Sequence, residues 1–163
     1  MIIYRILSTI LFLITLPIYA AVRKIEGKSF GWKEKFGDFK APDLGNKVIM
    51  FHGVSVGEII ALENLIKKTK ETFPEYKIVI TTGTKTGQEI AHKKYENIAS
   101  FITYFPFDIT FCVDKFLNKI NPSVVLIAET ELWPTFAAYC HKKGIPLFVI
   151  NGRISDATFK SYR

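Results

Sequence analysis

From Lys47 onward, short runs rich in β-branched residues alternate with helical segments, and this alternation restricts the chain to few folds. Lys47–His52 (KVIMFH) reads as a buried strand, followed by a Gly-rich turn and a helix from about Glu58 to Thr72. Lys77–Thr82 (KIVITT) is a second strand, leading through the turn Gly83–Gly87 into a helix ending near Glu96. Phe101–Tyr104 is a third strand, with a helix over Ile109–Lys119. Ser123–Ala128 (SVVLIA) is a fourth, with a helix over Leu132–Lys143, and Pro146–Ile150 is a fifth. These β-branched runs, separated by helical segments and short loops, predict an α/β domain: a parallel sheet with helices on both faces. Pro134 suits a first helical turn, where a missing N–H costs nothing. His141, Lys142 and Lys143 suit a last turn, with Gly144 as the residue that ends it. At 163 residues the chain is long enough for one such domain with a full core.

The first 22 residues are of another kind. Met1–Val22 is almost unbroken apolar sequence with Arg5 as its only charge, about the 20 residues a helix needs to cross a hydrocarbon core. A cleaved signal peptide would have a longer basic start and a clearer small-residue cut than Ile18-Tyr-Ala-Ala21 supplies. A buried core helix would show a polar face. The expectation is an N-terminal membrane-anchor helix over 1–22. Arg23, Lys24, Lys28, Lys33, Lys35 and Lys40 come next, making 23–46 a basic juxtamembrane segment suited to anionic membrane lipid. The positive-inside bias then keeps residues 47–163 on the cytoplasmic side.

The charge of the whole chain, 22 Lys and Arg against 15 Asp and Glu, favours polyanionic partners without selecting one. Because the excess gathers beside the apolar span and no binding motif for nucleic acid appears, nucleic acid is not an expected partner. Cys112 and Cys140 lie in helical stretches without metal or redox spacing and read as small buried hydrophobes. His52, His92 and His141 show no metal-ligand spacing, so no metal site is expected.

In a parallel α/β sheet, ligands collect at the carboxyl ends of the strands. Four polar clusters fall there: His52–Glu58, Thr81–Gly87, Glu129–Trp133 and Asn151-Gly-Arg153. In the first, Ser55 is a candidate N-cap and Gly57 allows close backbone approach. Glu58 falls in the first helical turn and has two readings. An acid there complements the helix dipole; the same carboxylate could accept a proton from a substrate hydroxyl. Glu129 and Glu131 flank Thr130 at the end of the fourth strand. One can cap the next helix while the other points into the crevice, and Glu129, nearer the strand, is expected in the crevice. Thr82, Thr84, Lys85 and Arg153 complete the candidate substrate-binding set, the two cations being suited to phosphate.

His52-Gly-Val-Ser-Val-Gly-Glu58, Thr81-Thr-Gly-Thr-Lys-Thr-Gly87, Tyr104-Phe-Pro-Phe-Asp108, Glu129-Thr-Glu-Leu-Trp-Pro134 and Asn151-Gly-Arg-Ile-Ser155 occur in the order seen in the Kdo transferases, and the chain resembles that family over its whole length. The resemblance implies the N-terminal, acceptor-binding Rossmann-like domain of an inverting glycosyltransferase of the GT-B type. Such an enzyme moves 3-deoxy-D-manno-octulosonic acid (Kdo) from CMP-Kdo to a lipid A precursor in lipopolysaccharide biosynthesis, without a cofactor. It also implies roles for two acids, Glu58 as general base and Glu129 as transition-state stabiliser. Gly53, Gly83, Lys85 and Gly152 depart from the family's usual residues. The donor-binding half expected of the family is not found within these 163 residues, so CMP-Kdo is expected as a partner only when that half is supplied, and this chain alone is expected to be inactive. The competing expectation is a non-catalytic, membrane-bound module that binds anionic glycolipid.

Overall fold

The computed structural model describes residues 31–129, 131 and 133–152, with Tyr4, Ile10, Phe12 and residues 14–17 of the first segment. Most of the expected anchor over 1–22, all of 23–30, and Arg153 lie outside the described residues. Among the described residues no helix is long and apolar enough to cross a membrane.

A short helix α1 (Trp32–Lys35) precedes the alternating units. These are β1 (Val48–Gly53), α2 (Val56–Ala61), α3 (Glu63–Thr72), β2 (Lys77–Thr82), α4 (Lys85–Tyr95), β3 (Phe101–Tyr104), α5 (Thr110–Ile120), β4 (Val124–Ala128), α6 (Pro134–Lys142) and β5 (Leu147–Ile150). The five strands form one sheet in the order β3-β2-β1-β4-β5, every pair parallel. All six residues of β1 are buried, as the central strand of a sheet covered on both faces requires. At the β5 edge Phe148 is exposed.

The two-residue alternation of β1 sorts its side chains between two cores. Val48 and Met50 pack with Val113, Phe116 and Leu117 of α5 and Phe136 and Cys140 of α6. Ile49 and Phe51 pack with Ile59 of α2, Ile66 of α3, and Ala91 and Tyr95 of α4. Both cysteines are free and buried, and burial pushes each thiol up to about 12, which leaves them unreactive at neutral pH.

Two local expectations change. The single helix expected over Glu58–Thr72 is two helices that meet at Leu62, whose φ of −75° and ψ of −10° end one and start the next. The turn expected over Gly83–Gly87 is half helix, since α4 begins at Lys85 with Thr84 as its N-cap. Pro134 is the first residue of α6, and Gly144 lies past its end at a φ of +68°, both as expected.

The start of α6 is held from a distance. Trp133, its N-cap, offers no side-chain acceptor. Instead Asp108, in the loop after β3, accepts from Thr135 N at 3.0 Å and Phe136 N at 2.8 Å. Asp108→Ala would orphan both donors and is expected to cost about 2 kcal/mol, the upper range for a lost cap; a urea midpoint lowered at unchanged m-value checks it. Tyr4 and Phe12 of the first segment touch this same loop, at Asp108 and Phe107.

Candidate active site

The order of the sheet reverses direction between β1 and β4, because the chain steps outward from β1 on one side and from β4 on the other. A crevice opens at such a switch point, beyond the strand ends. His52 and Ile127 are paired across it, so the segments leaving the two strands emerge side by side.

After β1 the chain turns into α2 through a capping box. Ser55 Oγ accepts from Glu58 N at 3.4 Å, and Glu58 Oε1 accepts from Ser55 N at 3.3 Å and from the Ser55 hydroxyl at 2.6 Å. Glu58 Oε2 accepts from Val54 N at 2.7 Å. Glu58 is 8% exposed, with its carboxylate folded back on its own turn. Both readings of Glu58 therefore have a physical basis. It satisfies the helix start, and of the roughly four lone-pair directions of a carboxylate it leaves one for a substrate. Tyr95 Oη, donating to Ile59 O at 2.7 Å, ties α2 to α4 and fixes where this turn sits.

The loop after β2 braces the turn. Thr84 Oγ1 donates to Val54 O at 3.1 Å and accepts from Gly87 N at 3.1 Å, and Thr82 Oγ1 donates to Gln88 Oε1 at 2.6 Å. The contact is close enough to need glycine. A Cβ on Gly83 would lie 2.6 Å from Val54 Cγ1, and one on Gly53 3.1 Å from Ile59 Cδ1. Gly83→Ala is accordingly expected to push the Val54 turn aside at a cost of roughly 1–3 kcal/mol, measurable as a drop in thermal midpoint. A Cβ on Gly57, by contrast, would meet nothing closer than Ser55 Oγ at 3.9 Å.

Glu129 follows β4 with a φ of +57°, a left-handed backbone that costs a residue with a Cβ of order 1 kcal/mol or more. Its N–H donates to Ile150 O at 2.8 Å. Glu129 and Glu58 line the same pocket, about 360 Å³, with Leu62, Leu65 and Asn151 among its walls. Glu131 is near enough to sense both: burial first, then repulsion from Glu58 and Glu129, raises its carboxyl above the usual range.

The structure thus gathers Ser55, Gly57 and Glu58 after β1 beside Glu129 and Glu131 after β4, with Thr82 and Thr84 supporting the first turn from behind. It does not bring Lys85 to this pocket: Lys85 is exposed on α4 and pairs with Glu89 at 3.8 Å. Asp108 was visible in the third motif but not as a cap, because its partners are 27 and 28 residues away. Among the described residues no group of three or more His, Cys, Asp and Glu side chains is placed to hold a metal ion.

Residues 30–163 match the family model of 3-deoxy-D-manno-octulosonic-acid transferase. The chain belongs to the Kdo transferase family. A 3-deoxy-D-manno-octulosonic acid transferase of Chlamydia trachomatis serovar D is 31% identical over 132 residues, 80% of this chain and 31% of that protein. One from Haemophilus influenzae is 32% identical over 114 residues, 70% of this chain and 26% of its own length. A bifunctional glycosyltransferase/methyltransferase of Fusobacterium nucleatum is 36% identical over 152 residues, 92% of this chain and 23% of that protein. This chain therefore spans about a third or less of the length of these relatives.

Proposed function

We propose that residues 47–163 form the acceptor-binding, N-terminal Rossmann-like domain of a GT-B Kdo transferase, which moves Kdo from CMP-Kdo to the lipid A precursor, lipid IVA. The observation that carries the reading is the pocket shared by Glu58 and Glu129 at the switch point between β1 and β4. In this mechanism an acceptor hydroxyl lies within hydrogen-bond reach of Glu58, about 2.6–3.2 Å. Its proton passes to the Glu58 carboxylate as its oxygen bonds to the anomeric carbon of Kdo. The bond from that carbon to the phosphate of CMP breaks, and CMP leaves with the electron pair. One displacement by one activated hydroxyl inverts the anomeric centre. Glu129, held across the pocket, stabilises the positive charge that develops on the sugar. Ser55 and the N–H of Val54 orient the base. The reading needs no cofactor.

The donor is bound by a second domain, which transfer requires beside this one. Residues 1–22 anchor the protein in the bacterial inner membrane, 23–46 meet anionic lipid, and the site faces the cytoplasm. The test is transfer by this chain joined to a donor-binding half, followed by mass spectrometry of lipid IVA with CMP-Kdo. Kdo-bearing lipid is expected from the joined protein and none from residues 1–163 alone. Tight lipid binding with no transfer by the joined protein would leave the non-catalytic glycolipid-binding module in its place.

A further inference from the structure

The first segment meets the domain at two points that lie far apart in its own sequence. Tyr4 Oη donates to Asp108 Oδ2 at 3.2 Å, and the Phe12 ring packs on Phe107 and Phe36 with centroids 4.9 and 6.1 Å away. Tyr4, Ile10, Phe12 and residues 14–17 are all helical. A helix turns by about 100° per residue, which sets Ile10 and Ile14 on the side opposite Phe12. Exposure follows that division. Phe12 and Leu16 are partly buried, whereas Ile10 and Ile14 are 49% and 61% exposed. One side of the segment is thus packed on the domain, and the other is apolar and open.

These contacts do not fit a helix that crosses the bilayer. In a crossing helix over 1–22 with the domain on one side, Tyr4 would stand about 27 Å from Val22, across the hydrocarbon from the domain. Asp108 cannot follow it there. Its two oxygens hold the first turn of α6, and a carboxylate carried into hydrocarbon is costly. A helix without a polar face need not cross when the domain covers one of its sides. Trp32, Phe36 and Phe107 supply that cover, with Phe107 centroids 5.7 Å from Trp32 and 5.2 Å from Phe36. Phe111, 54% exposed and stacked on Phe36 at 6.1 Å, continues the apolar surface past Phe12. The chain then supplies cations beside it: Arg23, Lys24 and Lys28 in sequence, and the exposed Lys33 and Lys40. Open apolar side chains flanked by cations fit the boundary between acyl chains and anionic headgroups.

We propose that the first segment lies along the membrane surface and does not cross it, with Phe12 against the domain and Ile10, Ile14 and Phe111 among the acyl chains of one leaflet. The inference rests on reading residues 1–22 as a membrane anchor. It brings the loop after β3, and with it the carboxyl edge of the sheet, to the level of the headgroups.

The test uses the full chain made in bacteria with short, uncharged, protease-cleavable tags ahead of Met1 and after Arg163. A crossing helix places one tag outside the cell membrane, whichever way it is oriented. Protease added to intact spheroplasts is therefore expected to cut neither tag, and to remove both after lysis, while the chain sediments with the membrane. Loss of either tag from intact spheroplasts overturns the proposal and leaves the anchor reading standing. A chain that stays in the supernatant after lysis overturns both. Ile10→Cys and Ile14→Cys, each labelled with a nitroxide, report depth in vesicles of phosphatidylethanolamine and phosphatidylglycerol. The native Cys112 and Cys140 are buried and do not compete for the label. Both labels are expected at one depth, about 5–10 Å into the headgroup–acyl boundary, and in contact with dissolved oxygen. Depths that differ by about 6 Å, as four residues of a crossing helix require, overturn the proposal. So does spin–spin broadening in place of oxygen contact, which would make a second copy the occupant of this face.

Discussion

Glu58→Gln in a complete enzyme is expected to lower kcat by roughly 10²–10⁴-fold, the range associated with loss of a general base, while the fold survives. The substitution separates the two roles of this side chain. A capping box accepts Glu or Gln at its third helical position, since either offers an oxygen to the N-cap N–H. Val54 N and Ser55 N, at 2.7 and 3.3 Å in the native turn, donate to different oxygens, so the single amide oxygen keeps the cap bond from Ser55 N and leaves Val54 N without an acceptor, and stability should fall by about 1–3 kcal/mol. The amide cannot take up the acceptor's proton. Ser55→Ala is the complementary change: it removes the cap hydroxyl, costs about 1 kcal/mol and leaves the carboxylate in place, so its effect on turnover should be much smaller. Initial rates and urea denaturation on the same preparations decide the matter. Near-normal turnover by Glu58→Gln removes Glu58 from the role of base, whatever its effect on stability.

The second large effect concerns acid. Burial, helped by the Lys35 charge and opposed by the hydrogen bond to Thr81, lowers the His52 pKa from 6.5 to about 3. Lys35 from α1 and Asp108 from the loop after β3 are the charged groups in the pocket that His52 faces. The folded-state pKa is depressed, so between pH 6.5 and 3 the unfolded chain binds a proton that the native state does not. Stability must then fall as pH falls, by up to about 1.4 kcal/mol per unit across that window. Paired urea titrations at about pH 7 and pH 5 isolate the effect. Over that interval the native protein should lose about 2 kcal/mol more than His52→Asn, which has no imidazole to protonate. Glu63 does not interfere there: hydrogen bonds from Lys67 and Lys94 lower its carboxyl to about 2, and its own loss of stability falls below pH 4.5. Parallel pH dependence in the two proteins would mean that His52 is accessible to protons in the native state.

The strands were the most legible part of the sequence, for a physical reason. A strand in a sheet covered on both faces is rich in β-branched and aromatic residues without alternation, and the second and third strands matched their expected bounds to the residue. Helix interruptions were not legible. Ile59, Leu62 and Ile66 keep one apolar spacing across the break at Leu62, so periodicity passes over it. Ser55 could be read as a cap because capping is local. Asp108 could not, because its partners come from another unit. Glu129 was placed at the rim by its position after the fourth strand, but its left-handed backbone has no mark in the sequence, glycine being the usual residue for that conformation. The charge of Lys85 is legible, but the direction of its side chain depends on the helix that begins at that residue.

The hold of Asp108 on α6 also orders events in time. A chain made from its N-terminus releases β1, α2 and Asp108 before Glu129 and Pro134 exist. The Glu58 side of the crevice can thus be assembled first and act as a template. The Glu129 side is completed only when the newly made start of α6 reaches an acceptor already waiting for it. In a nascent or partly unfolded chain, the two walls of this pocket should mature in sequence, with the Glu129 wall last to form and first to loosen.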